Sequence, residues 1–73
     1  MKSKNIKKEF ISVSIVMPVY NAEKYISESI DSIICQSFRD FECIIVDDGS
    51  TDNTRNIIRS YKDNRIRLIE NEH

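Results

Sequence analysis

Two neighbouring carboxylates, Asp47 and Asp48, stand directly after the apolar run Ile44-Ile45-Val46 and directly before Gly49, the only glycine in the chain. A carboxylate fixed at the end of a buried strand can accept a hydrogen bond from the imide N–H of a pyrimidine or from ribose hydroxyls. Earlier in the chain, Tyr20 follows Pro18-Val19 and precedes Asn21. Its ring offers a flat face on which a base can stack, an interaction worth about 1–3 kcal/mol per base in single-strand binders. Gly49 permits positive φ and close approach of a ligand to the backbone. Together these residues describe a nucleoside pocket rather than a catalyst. Turn chemistry accounts for the same residue types: Asp48-Gly49 as a turn, Asp52 with Thr54 as a helix cap, Tyr20 as an aromatic at a sheet edge. Asp47 favours the pocket, because adjacent carboxylates repel each other and a simple turn does not need both.

For the two segments to act together, the fold must bring them to one place. Val13 to Val19 alternates, with Val13, Ile15, Met17 and Val19 on one face, and predicts a strand with Pro18 near its end. Asn21 fits a helix N-cap, with Glu23 in the first turn and Ile26, Ile30, Ile33, Ile34 and Ser37 at helical spacing, ending near residues 36–38. Phe41 to Val46 reads as a strand buried on both faces. A second helix carries Thr54, Ile57, Ile58 and Tyr61 on one side and turns Arg55, Arg59 and Lys62 outward. After a turn at Asp63-Asn64, Arg65 to Glu70 gives a third strand. The order β-α-β-α-β predicts an α/β fold with a three-stranded parallel sheet and right-handed crossovers. Ligands in such sheets sit at the carboxyl ends of the strands, so Tyr20 and Asp48 should share a rim. Two helices cannot cover both faces of the sheet and also guard its edges, so the domain reads as incomplete and open to self-association through an edge.

Composition narrows the function classes. The 73 residues carry a formal net charge of -1, which argues against a nucleic-acid binder. Lys2, Lys4, Lys7 and Lys8 crowd a basic head, expected as a disordered, solvated tail over residues 1–11 ahead of the folded portion at 12–73. The apolar stretch behind it is interrupted by Ser12, Ser14 and Pro18 and falls short of the roughly 20 residues that span a bilayer. Cys35 and Cys43 are expected as small buried apolar residues in a reducing compartment, not as zinc ligands. His73 is the only histidine, so a histidine-based catalytic constellation is absent.

Val-Ser-Ile-Val-Met-Pro-Val-Tyr-Asn at 13–21, Ser37-Phe38-Arg39-Asp40-Phe41-Glu42, and Ile45-Val46-Asp47-Asp48-Gly49-Ser50-Thr51-Asp52-Asn53-Thr54 resemble the start of family 2 glycosyltransferases. The resemblance implies the N-terminal part of a Rossmann-like GT-A fold that binds a nucleoside-diphosphate sugar. It implies that Pro18, Val19 and Tyr20 line the base pocket, with Glu23 near it, and that Asp48 hydrogen-bonds the base while Asp47 contributes or braces the loop. It further implies a divalent metal (Mg or Mn) held by a later Asp-x-Asp motif, a later catalytic carboxylate, and an inverting transfer to a glycan or lipid-linked acceptor. No catalytic residue and no metal ligand is expected within these residues, and Asp47-Asp48-Gly49 has the wrong spacing for that motif. A cytoplasmic site, peripheral to the inner face of the membrane, goes with this expectation. The alternative is a non-catalytic nucleotide-binding or interaction module derived from the same fold. A receiver domain would need its acidic pair after the first strand, and a dinucleotide enzyme would need a Gly-x-Gly-x-x-Gly turn.

Overall fold

The computed structural model describes residues 13–36 and 39–72. The basic head, and Ser12, Ser37, Phe38 and His73, lie outside the described residues. Five elements follow in order: β1 (Val13–Val19), α1 (Ile26–Ile34), β2 (Phe41–Asp48), α2 (Thr54–Arg59) and β3 (Ile66–Asn71). The strands form one parallel sheet in the order β1-β2-β3. Val13 lies beside Phe41 and Val19 beside Asp47, while Cys43 lies beside Ile66 and Asp48 beside Asn71. Pro18, which cannot donate to a ladder, sits near the end of β1, which among the described residues pairs on one side only.

The core is one-sided. Phe41, Cys43 and Ile45 on β2 and Val19 on β1 are buried against Ile26 and Ile30 of α1 and Ile58 of α2, with Ala22 filling the space at the top. Each fully buried isoleucine contributes about 1.5–3 kcal/mol relative to exposure. Tyr61, just beyond α2, donates its hydroxyl hydrogen bond to Asp31 at 2.8 Å and packs on the core, which ties the two helices together. Both helices therefore lie on the same face, as expected when two crossovers of one hand follow a sheet that grows in one direction.

This corrects the expectation that β2 is buried on both sides. Its inward residues Phe41, Cys43, Ile45 and Asp47 are buried, but Glu42, Ile44 and Val46 are only half-buried. On that open face Val16 and Ile69 are exposed, flanking the two apolar β2 side chains. Cys35 departs from expectation as well. It closes α1 as an exposed C-cap, whereas Cys43 is buried as foreseen. Burial pushes the Cys43 thiol pKa up, which keeps it protonated.

Candidate functional site

The parallel pairing of β1 with β2 sets the geometry. Because Val19 lies beside Asp47, Tyr20, the residue after β1, and Asp48, the last residue of β2, stand at the same rim. Tyr20 is half-exposed, Pro18 and Asp48 are exposed, and Val19 turns its side chain into the core. Among the described residues the Asp48 carboxylate has no hydrogen-bond or ion-pair partner, so its acceptor capacity faces solvent. The chain then turns at Gly49, whose φ of 85° lies in the region where a Cβ would clash.

Asp47 has the opposite environment. It is fully buried and accepts from Arg55 Nε at 2.5 Å, from Ser50 N–H at 3.0 Å and from the Ser50 hydroxyl. Burial alone pushes its carboxyl pKa up. The Ser50 and Arg55 hydrogen bonds and the guanidinium charge outweigh this and hold it below the usual carboxylate range. The two neighbouring carboxylates thus divide the work: Asp47 is an ionised anchor inside, and Asp48 is presented outside.

Arg55 was expected to point outward and does not. Its guanidinium folds back over the end of the sheet, where it also reaches Glu70 at 3.2 Å and the Asn71 carbonyl at 3.0 Å. The buried carboxylate at the end of β2 attracts it from the first turn of α2. Arg59 completes the cluster by pairing with Glu70.

Asn21 is not the cap of α1. It adopts φ 49°, a left-handed conformation that asparagine tolerates better than most residues. Regular helix begins only at Ile26, after a turn in which the Tyr25 and Ile26 N–H groups both donate to the Ala22 carbonyl. Asn21 spans the rim instead. Its N–H donates to Ser50 Oγ at 2.8 Å, and its Oδ1 accepts from Thr51 N–H at 2.8 Å and Asp52 N–H at 3.3 Å.

The starts of the two helical segments cap each other. Ala22 N–H donates to the buried Thr54 hydroxyl at 2.8 Å, and Glu23 N–H donates to Asp52 Oδ2 at 3.3 Å. In return Glu23 Oε1 accepts from Asn53 N–H at 2.9 Å. These bonds satisfy amide groups that a helix start leaves without partners. Asp52 also accepts from the Thr54 N–H at 2.9 Å and hydroxyl at 2.5 Å. Burial pushes its carboxyl up, but these hydrogen bonds and that from Glu23 hold it below the ordinary range.

Of the residues expected at the site, Pro18, Tyr20 and Asp48 are exposed at the rim, Glu23 stands beside it tied to α2, and Asp47 and Val19 lie beneath it. Asn21, Ser50 and Arg55 join the rim through hydrogen bonds that residue type alone did not assign. Only the spacing of Arg55 from Asp47 across a helix start hints at their pairing. Among the described residues no group of three or more His, Cys, Asp or Glu side chains could hold a metal ion. Asp47 and Asp52 are already engaged and Asp48 stands alone, so these residues do not fit a divalent metal.

The model of glycosyl transferase family 2 matches residues 14–73. A UDP-Glc:α-D-GlcNAc-diphosphoundecaprenol β-1,3-glucosyltransferase of Escherichia coli, WfgD, is 48% identical over 61 residues, covering 84% of this chain and 24% of that protein. The putative glycosyltransferase EpsE of Bacillus subtilis is 44% identical, covering 82% and 23%. The crystal structure of S. aureus TarS superposes with a TM-score of 0.69 at 40% identity, covering 84% of this chain and 18% of that one. The chain thus spans about a quarter or less of the length of the curated relatives it matches.

Proposed function

The chain belongs to glycosyl transferase family 2, and on that premise we propose that its described residues form the nucleotide-binding part of the donor site of a sugar transferase. They have the architecture of the N-terminal part of a GT-A fold, the fold of the TarS neighbour. The observation that carries the reading is the shared rim, where Val19 beside Asp47 sends Tyr20 and Asp48 out from the same end of the sheet.

On this reading a nucleoside-diphosphate sugar places its base against the Tyr20 ring beside Pro18, and the exposed Asp48 carboxylate accepts from an imide N–H or from ribose hydroxyls. The ionised Asp47 holds the Asp48-Gly49 backbone in place without touching the ligand. An acceptor hydroxyl then attacks the anomeric carbon, and the bond to the diphosphate breaks with its electron pair leaving on phosphate oxygen. The hydroxyl proton passes to a base outside the described residues, and the sugar inverts. A divalent metal, where bound, supplies charge neutralisation for the leaving diphosphate, and no described residue is assigned to it. These residues alone would bind nucleotide without turning it over. The name of the E. coli relative specifies a diphosphoundecaprenol-linked acceptor, which supports a lipid-linked acceptor here and hence a place at the inner membrane surface.

Titration calorimetry of uridine and guanosine diphosphates against the full-length protein tests this. A hydrogen bond to a charged group contributes about 1.5–3 kcal/mol, so Asp48→Ala should weaken binding by about 10- to 150-fold. Unchanged affinity contradicts the assignment.

A further inference from the structure

We propose that Ser50, through its hydroxyl, fixes the separation of the two arms of the rim and so acts as a positioning residue for the donor nucleotide. The inference rests on the donor-binding reading and adds a residue to it. Asn21, the residue after Tyr20, donates its N–H to Ser50 Oγ at 2.8 Å. The same oxygen carries the proton donated to Asp47 Oδ1, on the residue before Asp48. A single hydroxyl therefore stands one residue away from each of the two groups that would contact a nucleoside.

The direction of these bonds is fixed. A backbone N–H can only donate, so Ser50 Oγ must accept from Asn21 and has its proton left for the carboxylate. Asp47 in turn is held by Arg55 Nε at 2.5 Å and by Ser50 N–H at 3.0 Å. Past the Val19–Asp47 end of the strand ladder, the other hydrogen bonds described between the segments lie further along the chain. Asn21 Oδ1 holds the amides of Thr51 and Asp52, and the links among Ala22, Glu23, Asp52, Asn53 and Thr54 join the helix starts. They keep the helix starts together, whereas Ser50 Oγ ties the first residue beyond Tyr20 to Asp47, next to the Val19–Asp47 pairing that ends the strand ladder. Ser50→Ala removes the side-chain link between Asn21 and Asp47, leaves the Asn21 N–H without that acceptor and takes one of three donors from a buried carboxylate.

The test is calorimetric titration of uridine diphosphate, or guanosine diphosphate if uridine diphosphate does not bind, into full-length protein carrying Ser50→Ala, Ser50→Thr, Ser50→Cys or Asp48→Ala. Ligand-free melting temperatures are measured beside each titration. Ser50→Ala should weaken binding by about tenfold or more, the equivalent of one lost hydrogen bond to a charged group. Ser50→Thr, which keeps the hydroxyl, should stay within about threefold of the unaltered protein. If Ser50→Ala does not fold, Ser50→Cys, similar in size but a weak donor, is read by the same criterion. A lowered melting temperature with unaltered affinity makes Ser50 merely structural and overturns the proposal. Loss of binding in Asp48→Ala with full binding in Ser50→Ala sinks the positioning role alone. If the unaltered protein binds neither nucleotide, the donor-binding reading fails and this proposal fails with it.

Discussion

Replacing Asp47 by asparagine keeps the shape of the side chain and removes its charge, which isolates what the buried anion contributes. The carboxylate is completely enclosed and accepts three hydrogen bonds: Arg55 Nε at 2.5 Å, Ser50 N–H at 3.0 Å and the Ser50 hydroxyl. An amide oxygen at the Oδ2 position can keep the Arg55 and Ser50 N–H bonds at neutral strength, but the amide NH2 then stands where the carboxylate accepted the Ser50 hydroxyl. Hydrogen bonds to charged groups contribute about 1.5–3 kcal/mol each. With the Ser50 hydroxyl bond lost and the other two reduced to neutral strength, a loss of about 3 kcal/mol at pH 7 follows. The folded-state pKa of Asp47 is depressed, so its stabilisation is present above the ordinary value of 3.8 and disappears as pH falls through the lower folded value. The gap between the unaltered protein and Asp47→Asn should therefore be wide at pH 7 and narrow below pH 4, measured by urea unfolding of the full-length protein. In an Arg55→Met background the same substitution should cost little or recover stability, because it removes a buried charge that has lost its partner. A gap that does not change with pH, or penalties that simply add in the double variant, would refute the view of Asp47 as an ionised anchor.

Two further outcomes follow from features away from the rim. Arg65 donates to Asp63 through its N–H, Nε and NH2 groups at 3.0, 2.9 and 2.7 Å and holds the Asp63 carboxyl down to about 2. The stability this pair contributes should be complete above pH 3.8, the ordinary carboxyl value, and lost as pH falls through about 2, a loss that Asp63→Asn abolishes in acid unfolding curves. If residues 1–73 are expressed alone, the edges at β1 and β3 and the open face bearing Val16, Ile44, Val46 and Ile69 should drive self-association. Sedimentation should show oligomers that Val16→Lys with Ile69→Lys reduces, and a clean monomer of the unaltered chain would refute this.

Much of the architecture could be read from side-chain periodicity. Period-two alternation placed β1 at Val13 to Val19, the apolar run placed β2, and the isoleucines at 26, 30, 33 and 34 placed α1. Periodicity speaks only of faces, however, and two facts lay beyond it. The helical wheel of α2 puts Arg55 opposite Ile57, yet its long side chain bends back to a carboxylate that only the sheet brings near. Asn21 has the composition of a cap, but asparagine is equally suited to a left-handed turn, and choosing between them requires knowing that Ser50 and Thr51 stand opposite. The double-sided burial inferred for β2 failed for a related reason, since an apolar strand does not reveal which side its helices take. The apolar run ended β2 at Val46, but the strand runs on through Asp47 and Asp48, and adjacent residues of a strand face opposite ways, so one carboxylate is buried and the other exposed.

The mutual capping of the two helical starts has a consequence for anyone who would re-engineer this domain. Glu23 completes the second helix and Asp52 and Thr54 complete the first, so neither segment is a self-sufficient cassette. A graft that transplants only residues 18–23, or only 47–54, into another scaffold would import unpartnered amides along with the desired side chains. The smallest portable unit is both segments together with the strands that keep them side by side.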